Sequence, residues 1–184
     1  MTAAVILAAG ASTRMGRPKQ LVTMDGETMV DRAVRAAREA GCDPVVVVLG
    51  ALAKRVEEAC ELDGAVVLVN DLWNEGMGSS LRMGVAAVRD AEAAVVMTCD
   101  MPAVTAVHLL DLMMDRELKA SRYGGRNGVP GYFPAAYFPE LIRASGDVGA
   151  RGVLREAAFV ELPGGEMDLD TEEDLERVRE VFGG

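Results

Sequence analysis

The sequence predicts an α/β fold, a mostly parallel sheet with helices on both faces, from three observations. Short apolar runs alternate with helix-like segments along most of the 184 residues, which is the order expected of repeated βαβ units. The apolar runs lack polar–apolar alternation and are therefore typical of strands that are buried on both faces. Half of the residues are apolar and only 4% are aromatic, so the core consists mainly of aliphatic side chains. A chain of this length can bury such a core as one domain, residues 1–184.

Four strands and four helices follow one another in the first part of the chain. The predicted strands are 3–7, 45–49, 65–69 and 93–98, and the predicted helices are 28–40, 52–62, 78–89 and 105 to about 116. Apolar residues recur with helical spacing in the first helix until Gly41 ends it, and Thr105 is a suitable N-cap for the fourth. Right-handed crossovers bring the carboxyl ends of parallel strands to one edge, where such sheets bind ligands. The segments after Leu7 and Val69, and Asp100, all fall at that edge.

The loop after the first strand combines backbone freedom with positive charge. Residues 10–19 contain two glycines, a proline, two hydroxyl groups and three cations. The first twenty residues carry a net charge of +3, whereas the rest of the chain carries −13. Glycine lets amide groups approach an oxyanion and the cations neutralise its charge, so the loop is a candidate phosphate site. Its spacing fits neither a P-loop nor a dinucleotide-binding fingerprint, and an ordinary turn with exposed cations is the alternative.

The run from Leu7 to Lys19 reads L-A-A-G-A-S-T-R-M-G-R-P-K. It resembles the signature of nucleotidyltransferases that join an NTP to a phosphorylated acceptor and release pyrophosphate. The A-A-G form followed by P-K-Q-L is similar to that of the molybdenum cofactor cytidylyltransferases and their close relatives. The resemblance extends to Leu175 and implies a three-layer α/β/α, Rossmann-like nucleotidyltransferase fold. It implies that Arg14 and Lys19 are catalytic and stabilise developing negative charge. The nucleotide-binding residues that it implies in this loop are Leu7, Ala8, Ala9, Gly10, Ala11 and Ser12.

A second glycine-rich stretch precedes the third predicted helix and reads N-E-G-M-G-S-S over residues 74–80. The resemblance implies that it contacts the base and ribose, mostly through backbone groups, at Gly76, Gly78, Ser79 and Ser80. A plain helix N-cap at Ser79 or Ser80 is the alternative. Trp73, the only tryptophan, could stack on a base, although packing is the favoured interpretation.

Two acidic positions are candidate metal ligands. Asp100 ends a buried strand, where a carboxylate is costly without a partner, and Mg²⁺ is a suitable partner because it binds carboxylates together with phosphate oxygens. The resemblance implies the same role for Asp100, in a D-x-P motif; a turn or N-cap aspartate is the alternative. The segment 168–174 resembles a second family motif, D-[IV]-D-T-x-x-D. Alternation there predicts a short strand with Asp168 and Asp170 on one face. Asp170 is the preferred second ligand, with Asp168 left open, and Thr171 is expected to cap the last helix in a capping box.

The acceptor is expected to bind in the region 121–157. A mobile loop is predicted over 123–127, because it holds two glycines and polar groups. The segments G-V-P-G-Y-F (128–133) and G-D-V-G-A-R (146–151) resemble family elements G-H-P-x-x-F and G-D-x-G-A-R. They make Gly128, Pro130 and Arg151 candidate acceptor-binding residues. Val129 replaces the family histidine, which leaves the acceptor open, and the only histidine, His108, is predicted to be a surface residue of a helix.

The sequence therefore predicts a Mg²⁺-dependent nucleotidyltransferase with a nucleotide-binding half (1–105) and an acceptor-binding half (106–184). By resemblance the preferred substrates are CTP and a molybdopterin-type cofactor. A GTP-using enzyme, a sugar- or polyol-phosphate acceptor and a non-catalytic carrier of the cofactor are the alternatives. A molybdoenzyme or its chaperone is a possible partner. The acidic net charge of −10 disfavours nucleic acid, and the lack of a long apolar run or secretory signal predicts a cytoplasmic protein without a membrane segment.

Overall fold

A computed structural model describes residues 1–144, 146 and 149–183. The strands are β1 (Thr2–Ala8), β2 (Thr23–Met24), β3 (Glu27–Thr28), β4 (Val45–Leu49), β5 (Val66–Val69), β6 (Ala93–Thr98), β7 (Lys119–Tyr123), β8 (Arg126–Pro134) and β9 (Ala158–Glu161). The α-helices are α1 (Met29–Glu39), α2 (Ala53–Ala59), α3 (Met77–Ala87), α4 (Ala106–Met113), α5 (Phe138–Ile142), α6 (Arg151–Leu154) and α7 (Glu172–Phe182). Short 3₁₀ turns cover Lys19–Leu21, Trp73–Glu75 and Ala135–Tyr137.

Seven strands form the central sheet in the order β5-β4-β1-β6-β8-β7-β9, and β2 and β3 form a separate hairpin. Strand β8 runs antiparallel to both of its neighbours, and the other adjacent pairs are parallel. This arrangement confirms the predicted mostly parallel α/β fold. Because β1 lies inside the sheet, between β4 and β6, the loop that follows it opens away from the lateral edges of the sheet.

The two faces of the sheet are covered by different helices. On one face Ala4, Ile6 and Ala8 of β1 pack in a cluster with apolar residues of α1, α2 and α4. On the other face Ala3, Val5 and Leu7 pack in a cluster with residues of α3, α5 and α6. The alternation of side chains along a strand explains why both sets are buried and why the strand reads as a continuous apolar run.

A third apolar cluster holds the last helix against the N-terminal part of the chain. Met15, Met24 and Met29 pack there with Leu169, Leu175 and Val178. Thr171 caps α7 in a capping box with Asp174, as predicted. The hydrogen bond from Thr171 also lowers the pKa of the Asp174 carboxyl. The cluster therefore brings the acidic segment before α7 next to the loop that follows β1.

Two predictions of local backbone structure were wrong. Residues 123–127 are the end of a β7–β8 hairpin, in which Gly124 and Gly125 form the turn with φ of 54° and 74°, values that favour glycine. Residues 167–170 form no strand. The amide of Leu169 donates to the carbonyl of Asp100 at 3.1 Å, and Leu169 is fully buried. Anchoring at one buried leucine replaces strand pairing in this segment.

His108 is buried rather than exposed, with 7% of its surface accessible. Its Nε2 lies 2.7 Å from the hydroxyl of Ser121, and that hydroxyl donates to the carbonyl of Pro130 at 2.6 Å. Since the hydroxyl has one proton, Nε2 is the donor to Ser121. Burial lowers the pKa of His108, so the folded state favours the neutral ring. The error arose because α4 turns this polar position toward β7 and β8.

Candidate active site

The loop after β1 is held from behind by the side chain of Gln20, which is 1% exposed. Its Nε2 donates to the carbonyls of Ala8 and Gly10, both at 2.8 Å, and its Oε1 accepts from the Ser12 hydroxyl at 3.3 Å. The Ser12 hydroxyl in turn accepts from the amide of Lys19 at 3.0 Å. Within the described part of the chain, the amides of residues 10, 11 and 12 donate to no protein acceptor. The loop therefore has a fixed shape and three amide groups available to an anion.

We expect Gln20→Glu to raise the KM for the nucleotide about tenfold and to lower stability by about 2 kcal/mol. The change is nearly isosteric, but it replaces two donated hydrogen bonds with an oxygen that faces the carbonyls of Ala8 and Gly10. Steady-state kinetics and thermal denaturation measure the two effects. Asn74→Asp is the matched control, because it adds the same charge at an exposed amide of the same cavity. Equal effects of the two variants would contradict the positioning role of Gln20.

A cavity of about 330 Å³ lies at the carboxyl ends of β1 and β6. Its lining includes Leu7, Ala8, Ala9, Gly10, Ala11, Lys19, Gly76, Ser80 and Asp100. Trp73 lines the same cavity and is 37% exposed, so its ring forms part of the wall. The end of β4 approaches closely: a Cβ on Gly50 would lie 2.5 Å from the Ala9 oxygen and 2.7 Å from Trp73 Cβ. Glycine is therefore required at position 50 for this wall to form.

The glycine-rich stretch before α3 is organised by Asn70, which is 2% exposed. Its Nδ2 donates to the hydroxyls of Ser79 and Ser80 at 2.8 and 2.9 Å, and its Oδ1 accepts from the amide of Leu72 at 3.0 Å. The predicted alternative of a serine N-cap was wrong, because Gly76 with φ of 101° takes the N-cap position of α3.

Two of the predicted base-contacting residues do not line this cavity. Ser79 is buried and donates its hydroxyl proton toward the carbonyls of Leu72 and Gly76, both at 2.9 Å. The amide of Gly78 donates to the carbonyl of Gly146 at 2.8 Å. Gly78 and Ser79 therefore stabilise the segment through hydrogen bonds to the protein, whereas Gly76 and Ser80 line the cavity.

Three carboxylates converge beside this cavity. Asp100, Asp168 and Asp170 each place one carboxylate oxygen within 4.8 Å of the others. Two predicted catalytic cations contact them. Nζ of Lys19 forms an ion pair with Oδ2 of Asp100 and lies 3.4 Å from Oδ1 of Asp170, and Nη2 of Arg14 lies 2.9 Å from Oδ2 of Asp170. The structure thus brings together both cations and all three acidic residues that the sequence singled out.

The acidic cluster fits a hard divalent cation. Asp100 is 6% exposed, and its Oδ1 is buried without a hydrogen-bond partner in the described part of the chain. A buried carboxylate oxygen without a partner is costly unless a cation reaches it.

The charges of the site shift the pKa values of its members. Burial and the charges of Asp100 and Asp170 raise the pKa of Asp168. Burial would lower the pKa of Lys19, but the attraction of Asp100 and its hydrogen bond outweigh burial and raise it, which favours the charged form. The N-cap of α4 is Thr105, which removes the N-cap alternative for Asp100.

A second cavity of about 480 Å³ is also lined by Asp100. Asp168, Tyr123, Val129 and Arg151 are among its lining residues. Burial raises the pKa of Tyr123, although the charge of Arg151 opposes this effect. Val129, which stands at the position of the family histidine, presents an aliphatic group to the cavity.

Two predicted acceptor-binding residues lie behind the wall of this cavity. A Cβ on Gly128 would lie 2.5 Å from the Tyr123 hydroxyl, so Gly128 makes room for that ring. Pro130 is buried and its carbonyl accepts from Ser121. Asp147 and Val148 of the G-D-V-G-A-R segment lie outside the described residues.

Residues 4–162 match the model of a protein family described as the MobA-like NTP transferase domain. Among curated proteins, the nicotine blue oxidoreductase of Paenarthrobacter nicotinovorans is 32% identical over 97% of this chain and 93% of its own. A probable molybdenum cofactor guanylyltransferase of Opitutus terrae is 38% identical over 60% of this chain and 53% of its own length.

Solved structures resemble the fold over nearly its whole length. A crystal structure of Rv0371C in complex with manganese, from Mycobacterium tuberculosis H37Rv, superposes with a TM-score of 0.81. The two chains are 30% identical, and the match covers 98% of each. That this neighbour was crystallised with a divalent metal agrees with the acidic cluster found here. No helix in the described ranges is long and apolar enough to cross a membrane.

Proposed function

The chain belongs to the family of MobA-like NTP transferase domains, and we propose that it transfers a cytidylyl group from CTP to a molybdopterin-type acceptor. It is a nucleotidyltransferase; the base, the acceptor and the metal are the parts proposed. One observation carries the proposal. A loop with available amides, two cations and three carboxylates meet where two cavities share Asp100 as a lining residue, so two phosphorylated molecules can approach the same carboxylate cluster.

The first cavity suits the triphosphate. In the proposed complex the amides of the loop after β1 bind the β- and γ-phosphates, and Arg14 and Lys19 neutralise them. The base lies between Ala9 and the start of α3, where backbone groups near Gly76 can pair with its edge. Tight positioning and fixed charges are what phosphoryl-type transfer needs most.

The reaction is an in-line displacement at the α-phosphorus. An oxygen of the acceptor phosphate forms a bond to the α-phosphorus, the bond to the β-phosphate oxygen breaks, and pyrophosphate leaves. The attacking oxygen is already anionic, so no general base is needed. Nζ of Lys19 lies beside Asp100. From that position its positive charge can stabilise the negative charge that develops on the leaving pyrophosphate.

Asp100 and Asp170, with Asp168 alongside, would hold Mg²⁺. When bound, such an ion neutralises phosphate charge and aligns the two phosphates. The buried unpartnered oxygen of Asp100 supports this assignment. Asp168 lines the acceptor cavity together with Asp100, so both carboxylates are placed to act near the acceptor phosphate.

The choice of CTP depends on the size of the base pocket. The cavity of about 330 Å³ is at the small end of ligand sites. Ala9 narrows it further where a glycine would leave space, and Gly50 brings a second wall close. A guanylyltransferase occurs among the named relatives, so GTP is the nearest alternative. Sugar- and polyol-phosphate acceptors, and a non-catalytic carrier, are the others. In the cytosol the product would pass to a molybdoenzyme or its chaperone.

Pyrophosphate release from CTP, GTP, ATP and UTP, with and without a molybdopterin-type cofactor extract, tests this proposal. We expect kcat/KM to favour CTP by about tenfold or more over GTP, equivalent to about 1.4 kcal/mol. Ala9→Gly is expected to relax this preference toward purines, and Ala11→Gly is the control in the same loop. A tenfold preference for GTP would overturn the assignment of the base. Pyrophosphate release that does not depend on the extract, but is stimulated by a polyol phosphate, would overturn the assignment of a molybdopterin-type acceptor. Absence of pyrophosphate release with every NTP, with and without the extract, would overturn the proposed transfer.

A further inference from the structure

An open cavity of about 850 Å³ lies beyond the acceptor cavity and is lined by four arginines. These are Arg122, Arg126, Arg151 and Arg155; we call this surface the arginine basin. Glu156 is the one acidic residue among the lining residues, so the basin has a formal charge of +3. The chain as a whole has 19 cations and a net charge of −10. Four cations around one cavity of an acidic protein therefore constitute a local reversal of charge, which attracts anions.

Hydrogen bonds and an aromatic contact hold the walls of the basin together. It lies between the β7–β8 hairpin and the connection from α6 to β9. Asn127 joins these two parts, because its Nδ2 donates to the carbonyls of Leu154 and Ala157, both at 3.0 Å. On the opposite wall, the guanidinium of Arg122 lies 4.3 Å from the centroid of the Phe159 ring.

The charges of the basin are available to a ligand. Arg126 and Arg155 are exposed and make no ion pair with a carboxylate of the described residues. Arg122 makes one long ion pair, at 3.8 Å to Oε1 of Glu161. Guanidinium groups with free donors bind phosphate and carboxylate groups in a bidentate manner.

The basin adjoins the acceptor cavity, since Arg126, Asn127 and Arg151 line both. The reacting phosphate of the acceptor must lie near Asp100, which lines the acceptor cavity but not the basin. A molecule that fills the acceptor cavity would therefore extend its other end into the basin.

We infer that the basin binds a second anionic group of the acceptor, remote from the phosphate that reacts. This inference rests on the proposed function and narrows it. The acceptor has at least two anionic groups separated by a body that fills the acceptor cavity. A polyol phosphate with a single anionic group would leave the arginines of the basin without a ligand.

The binding test uses inorganic phosphate as the probe and resolves the site directly. In a ¹H–¹⁵N NMR titration, the amide signals of Gly125 and Gly152, which line the basin, should shift and saturate. The variant Arg122→Gln/Arg155→Gln removes two arginines that line the basin but not the acceptor cavity. We expect its apparent Kd for phosphate to rise about tenfold, as for loss of charge-assisted hydrogen bonds. The amides of Gly10 and Ala11 should respond as in the unchanged protein.

The control variant Arg55→Gln/Arg89→Gln removes the same charge from exposed positions elsewhere. Arg155→Gln alone keeps the test available if loss of the Arg122–Phe159 contact disturbs folding. Basin amides that do not shift, or that lose affinity equally in both double variants, would overturn the inference. The kinetic expectation is a tenfold rise in the acceptor KM with the cofactor extract and an unchanged nucleotide KM. If the basin amides shift saturably and depend on the arginines, but the protein transfers no nucleotide, the anion site is retained and the proposed reaction is rejected. Failure of the inference and failure of the proposed function are therefore distinguishable.

Discussion

Asp100→Asn is expected to lower kcat by about 10³-fold and to weaken the response of the enzyme to divalent cations. The aspartate combines two features found together at no other carboxylate of the site: it is almost fully buried, and one of its oxygens has no partner in the described part of the chain. An amide at this position keeps the shape of the side chain but removes the charge that attracts a cation. Nucleotide affinity in metal-free buffer should change little, or increase slightly, because a negative charge near the phosphates is lost.

Two titrations measure this prediction. Activity as a function of Mg²⁺ should show a midpoint raised at least tenfold in the variant, and Mn²⁺ binding followed by electron paramagnetic resonance should show the same loss without turnover. Asp63→Asn is the control, because that residue is exposed in a turn and is not a member of the carboxylate cluster. An unaltered metal midpoint in Asp100→Asn would reject a metal-binding role for this residue.

The parts of the molecule that could be predicted are those encoded in local patterns. Strand β1 was predicted from five consecutive apolar residues, and the N-cap of α4 from Thr105. Lys19, Arg14, Asp100 and Asp170 were each identified from a motif, and the structure brings them into contact. A motif specifies residue types at fixed spacing, and the parallel sheet then collects those residues at one edge.

What could not be predicted depends on contacts between distant segments. The polarity of His108 indicated a surface position. The ring is buried instead, because its Nε2 has a hydrogen-bond partner in the hydroxyl of Ser121, thirteen residues later. The segment of Asp168 and Asp170 was expected to be a strand because its residues alternate. Its shape comes instead from Leu169, whose burial and hydrogen bond to Asp100 depend on the fold around it.

Gln20 and Asn70 were missed for the same reason. Neither has a charge or a metal-binding group, and nothing adjacent to them in sequence indicates that they are buried. Each satisfies several polar groups of a loop that would otherwise lack partners. A polar amide directly after P-K, within a loop of available donors, is the one local signal that could have pointed to Gln20.

Lys19→Met is expected to change two properties in opposite directions. Turnover should fall by about 10²- to 10³-fold, because a cation that stabilises phosphate charge is removed. Binding of Mn²⁺ in the absence of nucleotide should become tighter by about tenfold. In the structure, Nζ of Lys19 lies against Asp100 and 3.4 Å from Asp170, so it neutralises the carboxylates that would bind the metal.

The opposite signs follow from the charges of the site. Three carboxylates face Lys19 and Arg14, so the cluster has a formal charge of −1, and a divalent cation entering alone meets two positive groups at contact distance. A nucleotide that enters with the metal brings phosphates to which the two cations can move. Methionine keeps the unbranched apolar stem of lysine, which is largely buried here, and removes only the charge. Lys54→Met is the control, since that lysine is 89% exposed on α2 and its change in net charge is the same. If Lys19→Met weakened metal binding together with turnover, Lys19 would act by holding the carboxylates in place, and its proposed movement onto the phosphates would be rejected.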